Sequence, residues 1–172
     1  MAIRTGANPF ERLMGMDEVA WSRHANPWSV YTRMLLGLPV TLGALWSIRP
    51  LGLWSLAPLA AAFLLARVNP VLFPPPASTD NWASKATFGE RVWLNRANLA
   101  IPSHHARWAM GLAVASGVAF VAAALGAALH HPLAAIAGGV VCWLTKAWFC
   151  DRMVWLYEDM KTADPAYAAW LR

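Results

Sequence analysis

The sequence predicts an all-α integral membrane protein, a four-transmembrane-helix bundle with an N-terminal interfacial helix and a helical cytoplasmic connector. Of its 172 residues, 58% are hydrophobic and 13% are charged, and that charged fraction is about half of what a typical soluble domain carries. The apolar residues form two blocks, each long enough to cross a bilayer twice. A chain of this length is expected to be one domain, residues 1–172.

The distribution of charge predicts the orientation of the chain. The formal net charge of +5 is spread between the apolar blocks and not along one helix face, which indicates membrane topology and argues against nucleic-acid binding. Of the 14 Lys and Arg residues, only Arg49 falls at a predicted outer hairpin. The positive-inside rule therefore predicts a multi-pass protein of the cytoplasmic (inner) membrane, with both termini and the connector on the cytoplasmic side.

The first predicted element is an amphipathic helix at residues 8–21, lying on the membrane surface. Its apolar side chains recur at roughly helical spacing, Asn8 is a suitable N-cap, and Pro9 suits the first helical position. No cleavable signal peptide is expected, because the first long apolar run begins only near Ser29. The pair Asn26-Pro27 then predicts a turn that starts the next helix.

Four transmembrane spans are predicted, at about residues 29–48, 53–73, 107–129 and 133–155, with tight outer hairpins inside each pair. The last two spans are rich in Ala and Gly, which lets transmembrane helices approach closely. Cys142 and Cys150 would lie about 12 Å apart on one helix, which is too far for a disulfide. We expect both to be buried thiols.

The connector, residues 74–106, carries many of the side chains capable of chemistry. Ser78-Thr79-Asp80 has the character of a helix start. Gly89 is expected to separate one or two turns at 81–85 from a second short helix at 90–98. We therefore expect a helical cap on the inner face of the bundle.

Lys146 is the most informative single residue. It lies about 13 residues from the outer end of the fourth span, hence about 20 Å deep in a hydrocarbon core of roughly 30 Å. A charge at that depth needs a partner or a polar pocket, which favours a binding or proton-handling role. The alternative is a lysine whose side chain reaches the inner head groups.

The short outer hairpins bring the connector, the entry to the first span and the end of the fourth span to one side of the bundle. The simpler interpretation of their charges is a structural ion-pair lattice, and the alternative is a site for an anionic head group, phosphate or metal. The candidate binding residues are Lys146, Arg91, Arg96, Arg152, Asp80, Asn81, Asn95, Trp93 and Glu158.

Candidate acids and bases are His104, Glu90 and Asp151. The chain contains no P-loop, dinucleotide glycine motif or nucleophile elbow. His24, His104 and His105 offer ligand atoms suitable for a metal ion and are weak candidates. Their spacing is not diagnostic, so we predict no metal site. No particular cofactor is indicated.

Three stretches form a specific set of motifs: RHANPWSVYTR (23–33), NPVLFPPPASTDNWASKATFGERVWLNR (69–96) and DRMVWLYEDM (151–160). Together they resemble an uncharacterised family of small prokaryotic integral membrane proteins, a domain of unknown function. The resemblance covers most of the chain. It implies the membrane topology and no particular activity.

The leading functional hypothesis is a non-catalytic accessory subunit or binding protein whose cytoplasmic face binds a partner protein, a lipid head group or a membrane-soluble cofactor. Its expected partners are membrane lipids and a protein, which is either another chain or a second copy of this one. The second hypothesis is a small membrane enzyme, with Arg91, Arg96, Arg152 and Lys146 holding an amphipathic anionic substrate. The third is an oligomeric channel or transporter.

Overall fold

The computed structural model describes residues 16–172, and every regular element in that range is helical, as predicted. The elements are α1 (Glu18–His24), α2 (Pro27–Thr32), a π-helical segment (Arg33–Gly37), α3 (Leu38–Trp46), α4 (Ile48–Leu51), a 3-10 segment (Gly52–Ser55), α5 (Leu56–Leu72), α6 (Trp82–Leu94), α7 (Ser103–Ala128), α8 (Pro132–Met160) and α9 (Pro165–Ala168). The predicted helix at 8–21 lies largely outside the described residues, including Asn8 and Pro9, while α1 continues beyond its predicted end.

Among the described residues, three helical stretches are long and apolar enough to cross a membrane: Ile48–Leu72, Ser103–Ala128 and Pro132–Met160. They coincide with the second, third and fourth predicted spans, with somewhat different bounds. The predicted first span, 29–48, is not among the three, and its residues fall mainly in α2, the π-helical segment and α3. The structure therefore identifies a helical protein with three candidate spans.

Helices α7 and α8 approach closely because glycine stands where the two backbones meet. A Cβ added to Gly126 would lie 2.5 Å from the backbone nitrogen of Ala135, and one added to Gly138 would lie 2.8 Å from that of Ala123. Real Cβ atoms essentially never come within 3.0 Å of another heavy atom. The small-residue packing expected for this helix pair is therefore present at these two glycines.

The connector forms one helix, α6, which packs along α8. Gly89 lies inside α6, so the predicted division into two short helices at this residue is wrong. A Cβ at Gly89 would lie 1.8 Å from the carbonyl oxygen of Met153, so the glycine permits backbone contact with α8. Val92 and Leu156, both buried, belong to the main hydrophobic core beside this contact.

The C-terminal segment is bonded to the start of the connector. The backbone N–H of Thr79 donates to the carbonyl of Arg172 at 2.8 Å, and the N–H of Arg172 donates to Oγ1 of Thr79 at 2.8 Å. The Tyr157 hydroxyl donates to the carbonyl of Tyr167 at 3.0 Å. These bonds hold the connector, the end of α8 and α9 together on one side of the molecule.

Candidate functional site

A small cavity of about 80 Å³ lies where the first helical segment, the connector helix and α8 meet. Its titratable lining residues are His24, Arg33, Glu90, Lys146 and Cys150. We call it the charged pocket. The cavity combines the deep lysine with one predicted acid–base candidate, Glu90, and one histidine, His24.

Arg33 is the first residue of the π-helical segment, a conformation that is rare and often found at functional sites. Its Nη2 contacts both ring nitrogens of His24, at 2.9 Å from Nδ1. The next residue, Met34, has a carbonyl that accepts a hydrogen bond from Nε1 of Trp143 at 3.0 Å. The irregular turn thus places a guanidinium in the pocket and links the first segment to α8.

Lys146 faces Glu90 from the opposite side of the pocket. Its Nζ lies 3.8 Å from Oε1 of Glu90 and 4.4 Å from the ring centre of Phe149. The side chains of Lys146 and Glu90 are 46% and 31% exposed. Lys146 therefore has a carboxylate partner in Glu90, at a separation that is long for an ion pair.

The pocket carries a net positive charge. Burial, followed by the neighbouring Arg33, lowers the pKa of His24 to about 3, so its ring is neutral at physiological pH. Burial on its own would raise the pKa of Glu90, but Lys146 and Arg33 outweigh burial and hold that pKa below its usual value. With two cations, one carboxylate and a neutral imidazole, the sum of about +1 favours an anion.

A chain of polar side chains supports the pocket from α5. Ser29 Oγ lies 3.0 Å from Nδ1 of His24 and 3.1 Å from Oδ1 of Asn69, and the Asn69 amide donates to Oγ1 of Thr32 at 2.9 Å. The pair Asn69-Pro70 lies inside α5, and both residues are buried. A polar residue in an apolar helix was the signal that could have identified Asn69.

A long apolar groove of about 650 Å³ runs between α3 and α8. Near the turns of the two helical hairpins it is lined by Trp46 and Pro132, and at its other end by Leu35, Trp143 and Leu144. Leu35 is two residues from Arg33, and Trp143 is three residues, or one helical turn, from Lys146. The groove therefore ends beside the charged pocket.

The two arginines of the connector lie elsewhere. Arg91 is buried, pairs with Glu18 and lies with its guanidinium carbon 4.5 Å from the ring centre of Trp170. Arg96 donates to the carbonyl of Trp93 at 2.7 Å and covers its ring. Among the described residues, neither arginine forms an ion pair with a carboxylate of α8.

Two more candidates, Asp80 and Glu158, belong to an ion-pair cluster between the connector and α8, and a third, Asn81, lies beside it. Lys85 Nζ lies 2.7 Å from Asp80 and 2.9 Å from Glu158, and these two hydrogen bonds raise the pKa of Lys85. Asn81 caps α6 by accepting a hydrogen bond from the N–H of Ser84 at 3.0 Å. These contacts correspond to the structural lattice that the sequence offered as the simpler interpretation.

Other predicted residues also have structural partners. Asp151 accepts a hydrogen bond from Nε1 of Trp82 at 3.2 Å, and Asn95 donates to the carbonyl of Arg91 at 3.0 Å. Trp93 packs edge-on against Phe149. The three predicted acid–base candidates, His104, Glu90 and Asp151, consequently do not form one site.

The three candidate histidine ligands separate into two places. His24 lies in the charged pocket, whereas His104 and His105 begin α7. His105 is buried, with its Nε2 2.8 Å from Oδ2 of Asp159 and its Nδ1 3.4 Å from Nη2 of Arg152. Arg152 thus lies beside this histidine and not in the charged pocket.

Comparison of the chain with known proteins identifies its family. No curated protein and no solved structure matches it. One family model matches residues 7–171, which is nearly the whole chain. The chain therefore belongs to DUF6653, a family of unknown function.

Proposed function

We propose that the protein is a non-catalytic membrane binding protein for an amphipathic ligand, a lipid or a lipid-like cofactor with a small anionic head group. The head group binds in the charged pocket and the apolar chain lies in the groove. The observation that carries this proposal is that the groove ends within about one helical turn of Arg33 and Lys146. Groove and pocket together match both halves of such a ligand.

Four membrane spans suit this function, with the first formed by α2, the π-helical segment and α3. Residues 27–46 are continuously helical, and 20 residues extend about 30 Å. The bonds of Asn69 to Ser29 and Thr32 support an antiparallel pairing of this run with α5. With Arg49 the only Lys or Arg at an outer hairpin, the charged pocket faces the cytoplasm of a prokaryotic cell.

The size of the pocket restricts the head group. A volume of about 80 Å³ is equivalent to two or three water molecules, each of which occupies about 30 Å³ in the liquid. That space suits a carboxylate or a phosphate monoester. The groove, at about 650 Å³, has the size of a typical ligand site and an almost wholly apolar lining.

The electrostatics of the pocket favour binding over acid–base catalysis. A general acid or base works best with a pKa near the working pH. The pKa of His24 is lowered to about 3 and that of Glu90 lies below its usual value, so neither group exchanges a proton readily near neutrality. An accessory role remains part of the proposal, because a bound lipid can be presented to a partner protein.

The test is native mass spectrometry of the full-length protein in mild detergent, titrated with phosphatidic acid or with phosphatidylcholine. We expect phosphatidic acid to bind at least ten-fold more tightly, and Lys146→Met to remove most of that preference, because a hydrogen bond to a charged group contributes roughly 1.5–3 kcal/mol. Arg107→Met is the matched control, since it removes an exposed inner-face cation that does not line the pocket.

A second pair of variants tests the groove. Val140→Trp should weaken binding of both lipids, because Val140 is exposed and lines the groove. Val118→Trp adds the same bulk at an exposed position of α7 that does not line it. Equal affinity of the Lys146→Met variant and the unmodified protein for phosphatidic acid would refute the proposal.

A further inference from the structure

We propose that His104, His105 and Asp159 bind a divalent transition-metal ion of the zinc class. One ligand atom from each of these residues lies within 4.8 Å of the other two. Asp159 is 13 residues beyond Lys146 on α8, hence about 20 Å further along the helix axis. This metal site is therefore separate from the charged pocket and does not depend on the proposed lipid function.

The fold brings these residues together by packing the start of α7 against the end of α8. The ring centres of His104 and His105 lie 4.2 Å apart, and Nε2 of His105 lies 2.8 Å from Oδ2 of Asp159. In a tetrahedral zinc site with bonds of about 2.1 Å, neighbouring ligand atoms lie roughly 3.4 Å apart. Shifts of about 1 Å in the side chains would reach that geometry.

The exposure of the three side chains permits such shifts. His105 is 1% exposed and so supplies a fixed ligand, whereas Asp159 is 57% exposed and His104 is exposed. The two mobile ligands can close around an ion that the buried one holds in place. Three protein ligands leave a fourth position for water or for an exogenous ligand.

The donor atoms determine the class of ion. Two imidazole nitrogens and one carboxylate oxygen suit Zn²⁺, Ni²⁺ or Co²⁺, whereas Mg²⁺ prefers oxygen ligands and retains its own waters. The site should therefore distinguish Zn²⁺ from Mg²⁺.

Arg152 opposes metal binding and provides a sharp test. Its Nη2 lies 3.4 Å from Nδ1 of His105, and its guanidinium carbon lies 5.1 Å from the ring centre of Trp155. A guanidinium beside the buried ligand repels a second cation. Replacement of Arg152 by Gln should therefore raise the affinity for zinc.

The competing explanation is a plain hydrogen bond or ion pair between His105 and Asp159 that joins the two helices. That contact gives no role to His104, which lies exposed beside it. A metal site requires His104 and a structural bond does not. His104→Ala therefore separates the two explanations without disturbing a buried group.

The experiment is isothermal titration calorimetry of the tag-free, full-length protein in detergent with Zn²⁺ and, separately, Mg²⁺. We expect one Zn²⁺ per chain, at least ten-fold weaker binding in His104→Ala and in Asp159→Asn, and several-fold tighter binding in Arg152→Gln. His131→Ala is the control, because His131 is exposed at the outer turn and its loss should leave zinc affinity unchanged.

Thermal unfolding with and without Zn²⁺ provides the second measurement. Zinc should raise the unfolding temperature of the unmodified protein and not that of the His104→Ala variant, since a ligand that binds only the folded state stabilises it. Failure of the unmodified protein to bind zinc, or equal binding by His104→Ala, would overturn the proposal.

Discussion

The two helical hairpins of this protein are held together by different means. The second hairpin, α7 and α8, is joined by direct contact of its backbones at Gly126 and Gly138. The first hairpin, residues 27–72, contains a π-helical segment, a 3-10 segment and a positive φ at Gly52. Its two arms are joined by hydrogen bonds of Asn69.

This difference indicates which half serves as the scaffold. Backbone contact at glycine leaves no space for adjustment, whereas side-chain hydrogen bonds between irregular helices tolerate small changes of position. Both the groove and the charged pocket lie between the two hairpins, with α3 or the π-helical segment on one side and α8 on the other. A ligand bound there would rest on the rigid hairpin and contact the more adaptable one.

The largest effect is expected from adding one methyl group where the two backbones of the second hairpin meet. Gly126→Ala should reduce the free energy of unfolding by about 3 kcal/mol, because its Cβ would overlap the backbone of Ala135. Gly117→Ala is the control on the same helix, since a Cβ there meets nothing within 4 Å. Unfolding in mixed micelles of increasing SDS content measures both. An equal effect of the two substitutions would contradict the backbone contact.

Acidification should destabilise the protein through His24, which contacts Ser29 and Arg33 of the first hairpin. The pKa of His24 falls from an ordinary 6.5 to about 3 in the folded state, so folding favours the neutral ring. The stability that this contributes is complete above about pH 6.5 and is lost as the pH falls towards 3. Between pH 7.5 and pH 5 the loss amounts to about 2 kcal/mol.

The measurement is the unfolding free energy at both pH values for the unmodified protein and for His24→Gln. The variant should lose about 2 kcal/mol less on acidification, since it has no ring to protonate. His131→Gln, which changes an exposed histidine at the outer turn, should retain the full pH dependence. If His24→Gln retains the same pH dependence of the unfolding free energy, the buried neutral ring is not the origin of that dependence.

The smallest effect is expected from removing the hydrogen bonds of Asn69 that join the two arms of the first hairpin. Asn69→Leu removes the hydrogen bonds to Ser29 and Thr32 and should cost about 1 kcal/mol, since interhelical hydrogen bonds in membranes contribute roughly 0.6–2 kcal/mol. Thr41→Val is the control, because the Thr41 hydroxyl bonds only within its own helix, to the carbonyl of Gly37. A cost for Asn69→Leu no larger than that of the control would show that the arms are held by apolar packing.

The sequence predicted the features that depend on local composition. Hydropathy and length placed three of the apolar helices, and Lys146, singled out by its position in an apolar stretch, has Glu90 as a partner. The pattern at Gly89 was misinterpreted, because a glycine in a helix can mark either an end or a close contact. The structure also divides the predicted first span into three helical segments. The sequence did not indicate this division, since one sequence does not reveal a π-helical turn.

The candidate site was predictable only in part. Lys146 and Glu90 were both identified, yet nothing in the sequence paired them, and Arg33 and Asn69 were not among the predicted site residues. The reason is geometric. A helix that is apolar on all sides has no periodic stripe to indicate its rotation, so the neighbours of each side chain follow from packing alone.

By itself the sequence determined the helical class, the apolar stretches, the grouping of charge outside those stretches and the membership of the chain in its family. Those properties follow from composition, spacing and motif identity. Only the tertiary structure decided that His24, Arg33, Glu90 and Lys146 share a pocket and that His105 meets Asp159. Apart from His24 and Arg33, which are nine positions apart, these contacts join residues 54 to 122 positions apart in the chain. They depend on how glycine contacts and crossing helices set the rotation of each segment.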